Sequence, residues 1–300
     1  MNRIKNIKKN YVLYLFLLPS FLYLLLFHYW PLYGVQIAFK DFKATEGIWG
    51  SPWVGVDHFV RFFESFQFWQ LLQNTITISL YALIMGFPIP ILLALILNYM
   101  TIPHFKRFAQ TVTYAPHFIS TVVMAGMVIL FLSPSSGLIN TLIGVFGVEP
   151  VSFMQQPDLF KHIYVWSGIW QNTGWGSVIY MAALSAVSPE LHEAAIVDGA
   201  SKWKRIWNID IPAILPTAVI ILIMNVGSVM SVGFEKVYLL QNDANLAASE
   251  IFSTYVYKIG IQSAQYSYST AIGLFNNVIN FVLLISVNQL SRKWTGSSLW

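Results

Sequence analysis

The feature of this sequence that most constrains its fold is a set of six long apolar stretches joined by polar loops. A helix that crosses a bilayer needs about 20 mostly apolar residues. The stretches are residues 11–33, 71–99, 112–132, 162–187, 213–233 and 268–290. Only 10% of the 300 residues are charged, against about 25% in a soluble domain. The sequence therefore predicts an all-α integral membrane protein with six transmembrane helices, the second of them kinked at Pro88 and Pro90.

The basic residues are divided unevenly between the two sets of loops. Eleven lie on the side of the termini: Arg3, Lys5, Lys8, Lys9, Lys106, Arg107, Lys202, Lys204, Arg205, Arg292 and Lys293. Six lie on the other side: Lys40, Lys43, Arg61, Lys161, Lys236 and Lys258. Because cytoplasmic loops carry the excess of Lys and Arg, both termini are predicted to be cytoplasmic. Residues 1–10 then form a basic cytoplasmic segment, and residues 11–300 form a single transmembrane domain.

The longest external loop, residues 40–70, is rich in aromatic side chains. They are Trp49, Trp53, Phe59, Phe62, Phe63 and Phe66. The loop is amphipathic, and we expect it to lie on the membrane surface or to cap the pore.

The cytoplasmic loop between the fourth and fifth stretches, residues 188–212, has strong helix signals. Ser188 is a good N-cap, and Pro189 suits the first helical position. A short helix should run to Asp198 and end at Gly199, after which Ser201 can cap a second helix. That second helix places Trp203, Ile206 and Trp207 on one apolar stripe. The pattern predicts a helix-turn-helix along the cytoplasmic face, with Pro212 and Pro216 resetting the chain for the fifth span.

The spacing within this loop resembles the EAA loop of ABC importer permeases. Glu193-Ala194-Ala195 is followed after three residues by Gly199, and after nine more by Ile209-Asp210-Ile211-Pro212; the family more often has leucine where Ile211 stands. The resemblance implies a type I ABC importer permease fold, in which the first short helix inserts into a cleft on an ATPase subunit. The residues that it implicates in coupling are Glu193, Ala194, Ala195, Asp198, Gly199, Ala200, Ile209 and Pro212.

The resemblance extends along nearly the whole chain. Tyr29-Trp30-Pro31, Tyr114-Ala115-Pro116-His117 and Gly168-Ile169-Trp170 look like sugar-importer permeases of the maltose type. Gly233-Phe234-Glu235 and the stretch from Tyr266 to Phe275 are similar to the subgroup that moves oligosaccharides from rhamnogalacturonan, polygalacturonate or alginate. The predicted function is therefore the import of an oligosaccharide across a bacterial cytoplasmic membrane.

The family implies a complex built around this chain. A second homologous permease should pair with it as a heterodimer, two ATPase subunits should bind ATP and Mg, and an external binding protein should deliver the sugar. The sequence has no G-x-x-x-x-G-K-[ST] phosphate-binding loop. We therefore expect no cofactor, no metal and no enzymatic activity on this chain itself.

A sugar path needs hydrogen-bonding groups and aromatic faces inside the helix bundle. The candidates are Trp170, Gln171, Asn172, Trp175, Asn225 and Glu235. Polar groups in a membrane span also join helices to one another, and helix packing is the alternative role for Gln171 and Asn172. Glu235, at the outer end of its span, could simply face water.

Other functions fit the residues less well. A zinc protease helix would need a second histidine where Ile196 follows His192-Glu193, and no catalytic triad or carboxylate pair has a persuasive spacing. A free-standing channel would have no need of an ATPase-docking loop. A permease of another ABC class, for a peptide, a metal or an oxyanion, is the alternative that the sequence leaves open.

Overall fold

The computed structural model describes residues 10–295 and 298–299, so nearly all of the predicted basic segment 1–10 lies outside the described residues. The helices in that part of the chain are α1 (Tyr11–Phe39), α2 (Gly47–Gly50), α3 (Asp57–Glu64), α4 (Phe66–Asn98), α5 (Pro103–Phe118), α6 (Thr121–Phe131), α7 (Leu138–Gly144), α8 (Pro157–Ser185), α9 (Pro189–Val197), α10 (Lys202–Gly227), α11 (Phe234–Leu240), α12 (Leu246–Ser249), α13 (Phe252–Tyr257) and α14 (Tyr266–Thr295). The only β-type pairing there is an isolated bridge between Lys40 and Trp53.

The chain divides into two compact units. The first contains the described residues 10–65 together with 256–274, and the second contains residues 66–255 together with the remainder of α14. In the first unit, Phe62 of α3 is fully buried and its ring makes an edge-to-face contact with that of Tyr268, with 6.3 Å between the centroids. Arg61 lies over the same Tyr268 ring at 4.1 Å. The predicted loop 40–70 therefore contains a packed helix, and its last residues belong to α4.

Helix α1 is apolar on all sides, and none of the side chains between Tyr11 and Leu32 is buried within the described structure. An all-apolar helix of this length is suited to contact with lipid or with another membrane protein.

Two apolar clusters form the core of the second unit. One is built by Ile78, Ala125, Phe160, Val232, Val237, Leu240 and Ile251. The other is built by Ala94, Leu95, Tyr180, Leu184, Ile214 and Ala218. Helices α4 and α8 contribute to both clusters, so these two long helices form the frame of the unit.

Four helices of the described residues are long and apolar enough to cross a membrane: α1, α4, α10 and α14. They correspond to the first, second, fifth and sixth predicted spans. The regular helix of α4 is interrupted at Phe87, next to Pro88 and Pro90, which have no backbone N–H to donate. The helix then continues to Asn98.

The third predicted span, residues 112–132, is not a single straight helix. Helices α5 and α6 meet at an angle of 102° and qualify as a span only if the bent pair is counted as one. Pro116 lies in a 3₁₀ turn at the end of α5, and the Ser120 hydroxyl accepts a hydrogen bond from the backbone N–H of Val123 at 3.3 Å. A proline followed by an N-cap ends one helix and starts another.

The fourth predicted span corresponds to α8, which has 29 residues and is too polar to qualify as a membrane span by composition. It packs closely on its neighbours through glycine. A Cβ on Gly174 would lie 1.9 Å from the carbonyl oxygen of Thr113 in α5, and one on Gly176 would lie 3.3 Å from the ring of Pro90 in α4. Protein therefore surrounds much of α8, which allows it to carry polar side chains.

Candidate functional site

The short helix of the loop 188–212, α9, presents its side chains to the outside of the unit. No residue of α9 is buried. Leu191, Ile196 and Val197 are exposed apolar residues, and Val197 is 87% exposed. Glu193, Ala194 and Asp198 are exposed beside them. A small helix with apolar, small and acidic residues on its surface is suited to contact with another protein.

A left-handed turn at Gly199 ends this helix as the sequence predicts. Gly199 has φ +73°. The backbone N–H of Gly199 donates to the carbonyl of Ile196 at 3.0 Å, and that of Ala200 donates to the carbonyl of Ala195 at 2.8 Å. This is a Schellman motif, which favours glycine because a side chain at positive φ is strained. A Cβ on Gly199 would nevertheless meet no atom within 4 Å.

The predicted helix-turn-helix is present, with α9, the turn at Gly199 and the start of α10, but its second helix does not end before the fifth span. The Ser201 hydroxyl caps the helix by accepting from the N–H of Lys204 at 3.4 Å, as expected. However, α10 runs without a break from Lys202 into the fifth span, through a π turn at Ile206–Asp210. Pro212 lies directly after this turn and Pro216 lies inside the helix. We expected Pro212 and Pro216 to reset the chain before the fifth span, but the helix continues through both of them. The wider π turn that precedes Pro212 accommodates its missing backbone donor.

A buried carboxylate joins the two sides of the loop to the end of α4. Asp210 is fully buried, and its Oδ2 accepts a hydrogen bond from the Tyr99 hydroxyl at 2.7 Å. Its Oδ1 lies 3.3 Å from Nε2 of His192 in α9, close enough for an ion pair when the imidazole is protonated but outside hydrogen-bond geometry. The Arg205 guanidinium lies 5.6 Å from the centre of the Tyr99 ring.

This cluster connects α9, α10 and the end of α4 through polar contacts, and these contacts require the three helices to keep their relative positions. In the sequence Asp210 appears only as part of the EAA pattern, and neither His192 nor Tyr99 has a predicted role. Their meeting depends on the tertiary structure, and nothing in the local sequence points to it. The buried Asp210 of α10 therefore lies in contact with both α9 and the end of α4.

Two adjoining, partly open cavities are lined by residues of the second unit, with volumes of about 470 and 270 Å³. Their linings share Ala82, Gly86, Phe87, Tyr164 and Asn225. The larger one falls within the about 300–1,000 Å³ that is usual for small-molecule sites.

Three of the six predicted sugar-path residues line the larger cavity: Gln171, Asn172 and Asn225. Gln171 is buried and donates to the carbonyl of Ile119 at 2.8 Å, which holds α8 against the break between α5 and α6. Asn172 donates to the carbonyl of Gly168 at 3.0 Å, and its Oδ1 lies 3.1 Å from Nδ1 of His117. The Asn225 amide makes no hydrogen bond with the described residues, so it is the one of the three that is free to bind a ligand.

The other three predicted residues do not line either cavity. Trp175 stacks on the His117 ring, with a centroid distance of 4.9 Å and an interplanar angle of 1°. Trp170 and Glu235 are exposed. Their role in a sugar path stays a prediction.

The cavity contains one cation that the sequence analysis did not select. Lys236 of α11 lines the larger cavity and is only 9% exposed. From the sequence, Lys236 is predicted only to be one of six external basic residues. Its position beyond the fifth span carries no signal of burial, because the chain brings α11 back against α8 through tertiary packing.

The chain matches the family model described as "Binding-protein-dependent transport system inner membrane component" over residues 79–296. It is 44% identical over 291 residues to the polygalacturonan/rhamnogalacturonan transport system permease protein YteP of Bacillus subtilis (strain 168), covering 97% of this chain and 90% of that protein. It is 42% identical to the protein LplB of the same organism, covering 98% and 92%.

A solved structure shares the fold along the entire chain. It is a chain of a bacterial alginate ABC transporter in complex with an alginate pentasaccharide-bound periplasmic protein, with a TM-score of 0.93, 39% identity and complete coverage of both chains.

The chain belongs to the family of inner-membrane components of binding-protein-dependent transport systems. It is a permease subunit of an ABC importer, and it is a membrane transporter component and not an enzyme. The predicted resemblance to carbohydrate-importer permeases is confirmed by the relatives named above, and a permease of a non-sugar class is not favoured.

Proposed function

We propose that this chain translocates an oligosaccharide derived from an acidic polysaccharide, of the kind named for its relatives: polygalacturonan, rhamnogalacturonan or alginate. The observation that carries the coupling mechanism is the exposed helix α9, which ends at a left-handed glycine and is held to α10 and α4 through the buried Asp210. Such a helix is suited to receive movement from an ATPase and to pass it to the spans. Glu193, Ala194, Ala195, Asp198, Gly199 and Ala200 would form the docking surface, with Ile209 and Pro212 at its base.

The complex that we propose has the composition implied for this family. A second, different permease pairs with this chain, and each permease contacts one ATPase subunit that holds ATP and Mg. An external protein delivers the sugar. ATP closes the ATPases and moves both coupling helices, so that the pore opens outward; hydrolysis returns it to the inward-facing state.

We further propose six membrane spans with both termini in the cytoplasm. The bent pair α5/α6 would form the third span and α8 the fourth, because α8 can be polar where protein and not lipid surrounds it. The unequal distribution of Lys and Arg supports the orientation.

Cysteine labelling tests this topology directly, since the chain has no native cysteine. A membrane-impermeant maleimide should label Thr45→Cys in intact spheroplasts, because residue 45 is exposed and external in this topology. Thr101→Cys, which is exposed in the loop between the second and third spans, should react only after permeabilisation. Labelling of Thr101→Cys in intact spheroplasts, with permeabilised membranes as the control for reactivity, would contradict the orientation.

Uptake into proteoliposomes tests the function. The complete wild-type complex should take up trigalacturonate only with ATP inside and the binding protein outside. Asp210→Ala removes the acceptor of the Tyr99 hydroxyl and the partner of His192, at a cost of about 1–3 kcal/mol. We expect the variant complex to hydrolyse ATP with several-fold less sugar imported per ATP.

The matched control is Asp158→Ala, which removes an acidic residue from the first turn of α8. It should import as much sugar per ATP as the wild type. Equal ratios for Asp210→Ala and the wild type would contradict a coupling role for the buried carboxylate.

A further inference from the structure

Lys236 stands out among the basic residues of the second unit because it is buried without an acidic partner. Its ammonium donates to the backbone carbonyl of Tyr164 at 2.8 Å and lies 4.8 Å from the centre of that ring. No carboxylate among the described residues forms an ion pair with it. An ammonium has three N–H donors, so two remain without a protein acceptor.

The surroundings of this ammonium are shaped to leave it accessible from the cavity. Gly168 faces it from α8, and a Cβ there would lie only 3.1 Å from Nζ. Asn225 and Asn172 line the same cavity, and the titratable side chains beside them are the tyrosines Tyr164 and Tyr180. The lining therefore contains one cation, several neutral hydrogen-bonding groups and no acid.

A purely structural role explains this arrangement poorly. Lys236 could serve to hold α11 against α8 through the Tyr164 carbonyl, but a neutral donor would make the same hydrogen bond without the desolvation of a charge. A lone ionisable group within a membrane protein is by default a candidate for function. Neutral sugars, moreover, are bound through amides and aromatic faces and give an ammonium no charge to balance.

We propose that Lys236, together with the Asn225 amide, forms a subsite for the carboxylate of a uronic acid residue as the oligosaccharide crosses the permease. The carboxylate accepts the two free N–H groups of the ammonium, and the Asn225 amide binds a ring hydroxyl. This inference rests on the proposed transport function and specifies the substrate of the same path as acidic. Charge-assisted bonds of this kind are about twice as strong as neutral ones.

The charge state of the Lys236 side chain agrees with this role. Burial lowers the pKa of Lys236 to about 8. The ammonium is then protonated in a ratio of roughly ten to one at pH 7. A bound carboxylate favours the protonated form, so binding of an acidic sugar should weaken as the pH rises through 8, whereas binding of a neutral sugar should not.

Equilibrium dialysis of the purified wild-type complex in nanodiscs tests the subsite without the binding protein, since both faces of the permease are open to solution. The probes are trigalacturonate, its carboxyl-reduced neutral counterpart, and sn-glycerol 3-phosphate. We expect Lys236→Met to weaken trigalacturonate binding by about tenfold or more, and to leave the neutral trisaccharide within about twofold. Lys236→Arg should retain most of the preference for the acid.

The control is Lys161→Met, which removes a basic residue that does not line the cavity; it should bind all probes as the wild type does. Equal trigalacturonate binding by Lys236→Met and the wild type would overturn the subsite. So would tighter binding of glycerol 3-phosphate than of trigalacturonate, which would indicate a general anion site.

Two further readouts keep the proposal testable and separate it from the transport function. If Lys236→Met does not assemble, the test is made on the wild-type complex alone. Its binding of trigalacturonate relative to the neutral trisaccharide is measured at pH 7 and at pH 9, and an unchanged ratio contradicts the role of the ammonium. A complex that contains its ATPase but does not distinguish the acidic from the neutral sugar overturns the subsite alone. A chain that recovers no ATPase overturns the transport function.

Discussion

Gly174→Val should remove most of the protein from the membrane. Even a methyl group at this position would lie 1.9 Å from the carbonyl oxygen of Thr113 and 2.8 Å from the backbone nitrogen of Tyr114. These are backbone atoms and cannot rotate away, so α5 and α8 must separate. Overpacking usually costs about 1–3 kcal/mol, and this contact is more severe. We expect at least a fivefold lower yield of folded protein, measured by size-exclusion chromatography of solubilised membranes.

Gly126→Val is the matched control for this change. Gly126 lies in helix α6, and a Cβ there would meet no atom within 4 Å. Its yield should stay close to that of the wild type. Similar yields for Gly174→Val and Gly126→Val would mean that α5 and α8 do not pack as closely as described.

Gly199→Trp should abolish transport while the protein still folds. The new side chain has space in the isolated chain, since nothing lies within 4 Å of the Cβ position. It would however lie on the surface that is proposed to contact the ATPase, and the positive φ adds roughly 1–2 kcal/mol of strain. We expect uptake of trigalacturonate by reconstituted complexes to fall by about tenfold or more, with a normal yield of the permease.

Gly147→Trp distinguishes the effect of backbone strain at a positive φ from the effect of a bulky side chain on the proposed ATPase-docking surface. Gly147 also has a positive φ, +76°, and open space at its Cβ, but it lies in the loop after α7. It should transport at the wild-type rate. If both variants lose transport equally, backbone strain and not contact with the ATPase explains the loss.

The sequence was most informative where function imposes a local pattern. The α9 helix, the left-handed Gly199 and the cap at Ser201 are all set by neighbouring residues, and the structure has them where the helix signals of residues 188–201 predict them. The long apolar helices α1, α4, α10 and α14 were predicted for the same reason, because apolar length is a local property.

Other features depended on tertiary packing and could not be predicted in this way. The 102° bend between α5 and α6 is an exception, because Pro116 and the N-cap Ser120 mark it in the sequence and only the count of apolar length missed it. The polar helix α8 is tolerated because of its neighbours. Lys236 has an ordinary sequence context, and only the packing of α11 against α8 buries it beside the cavity.

The sugar-path residues show the same division. Gln171 and Asn225 were selected together as uncharged polar residues of predicted spans. The structure gives Gln171 a backbone acceptor at Ile119 and leaves the Asn225 amide without one. Polarity alone could not separate a side chain that holds helices together from one that faces a cavity.

The most direct test of the central claim, that α9 is an ATPase-docking helix, is a pull-down from detergent-solubilised host membranes. Tagged wild-type protein is compared with the Glu193→Lys, Gly199→Trp double variant. Recovery of an ATPase and a second permease with the wild type, and loss of the ATPase with the variant, is the predicted result. A wild-type protein that recovers no ATPase, or a variant that recovers as much as the wild type, would contradict the account.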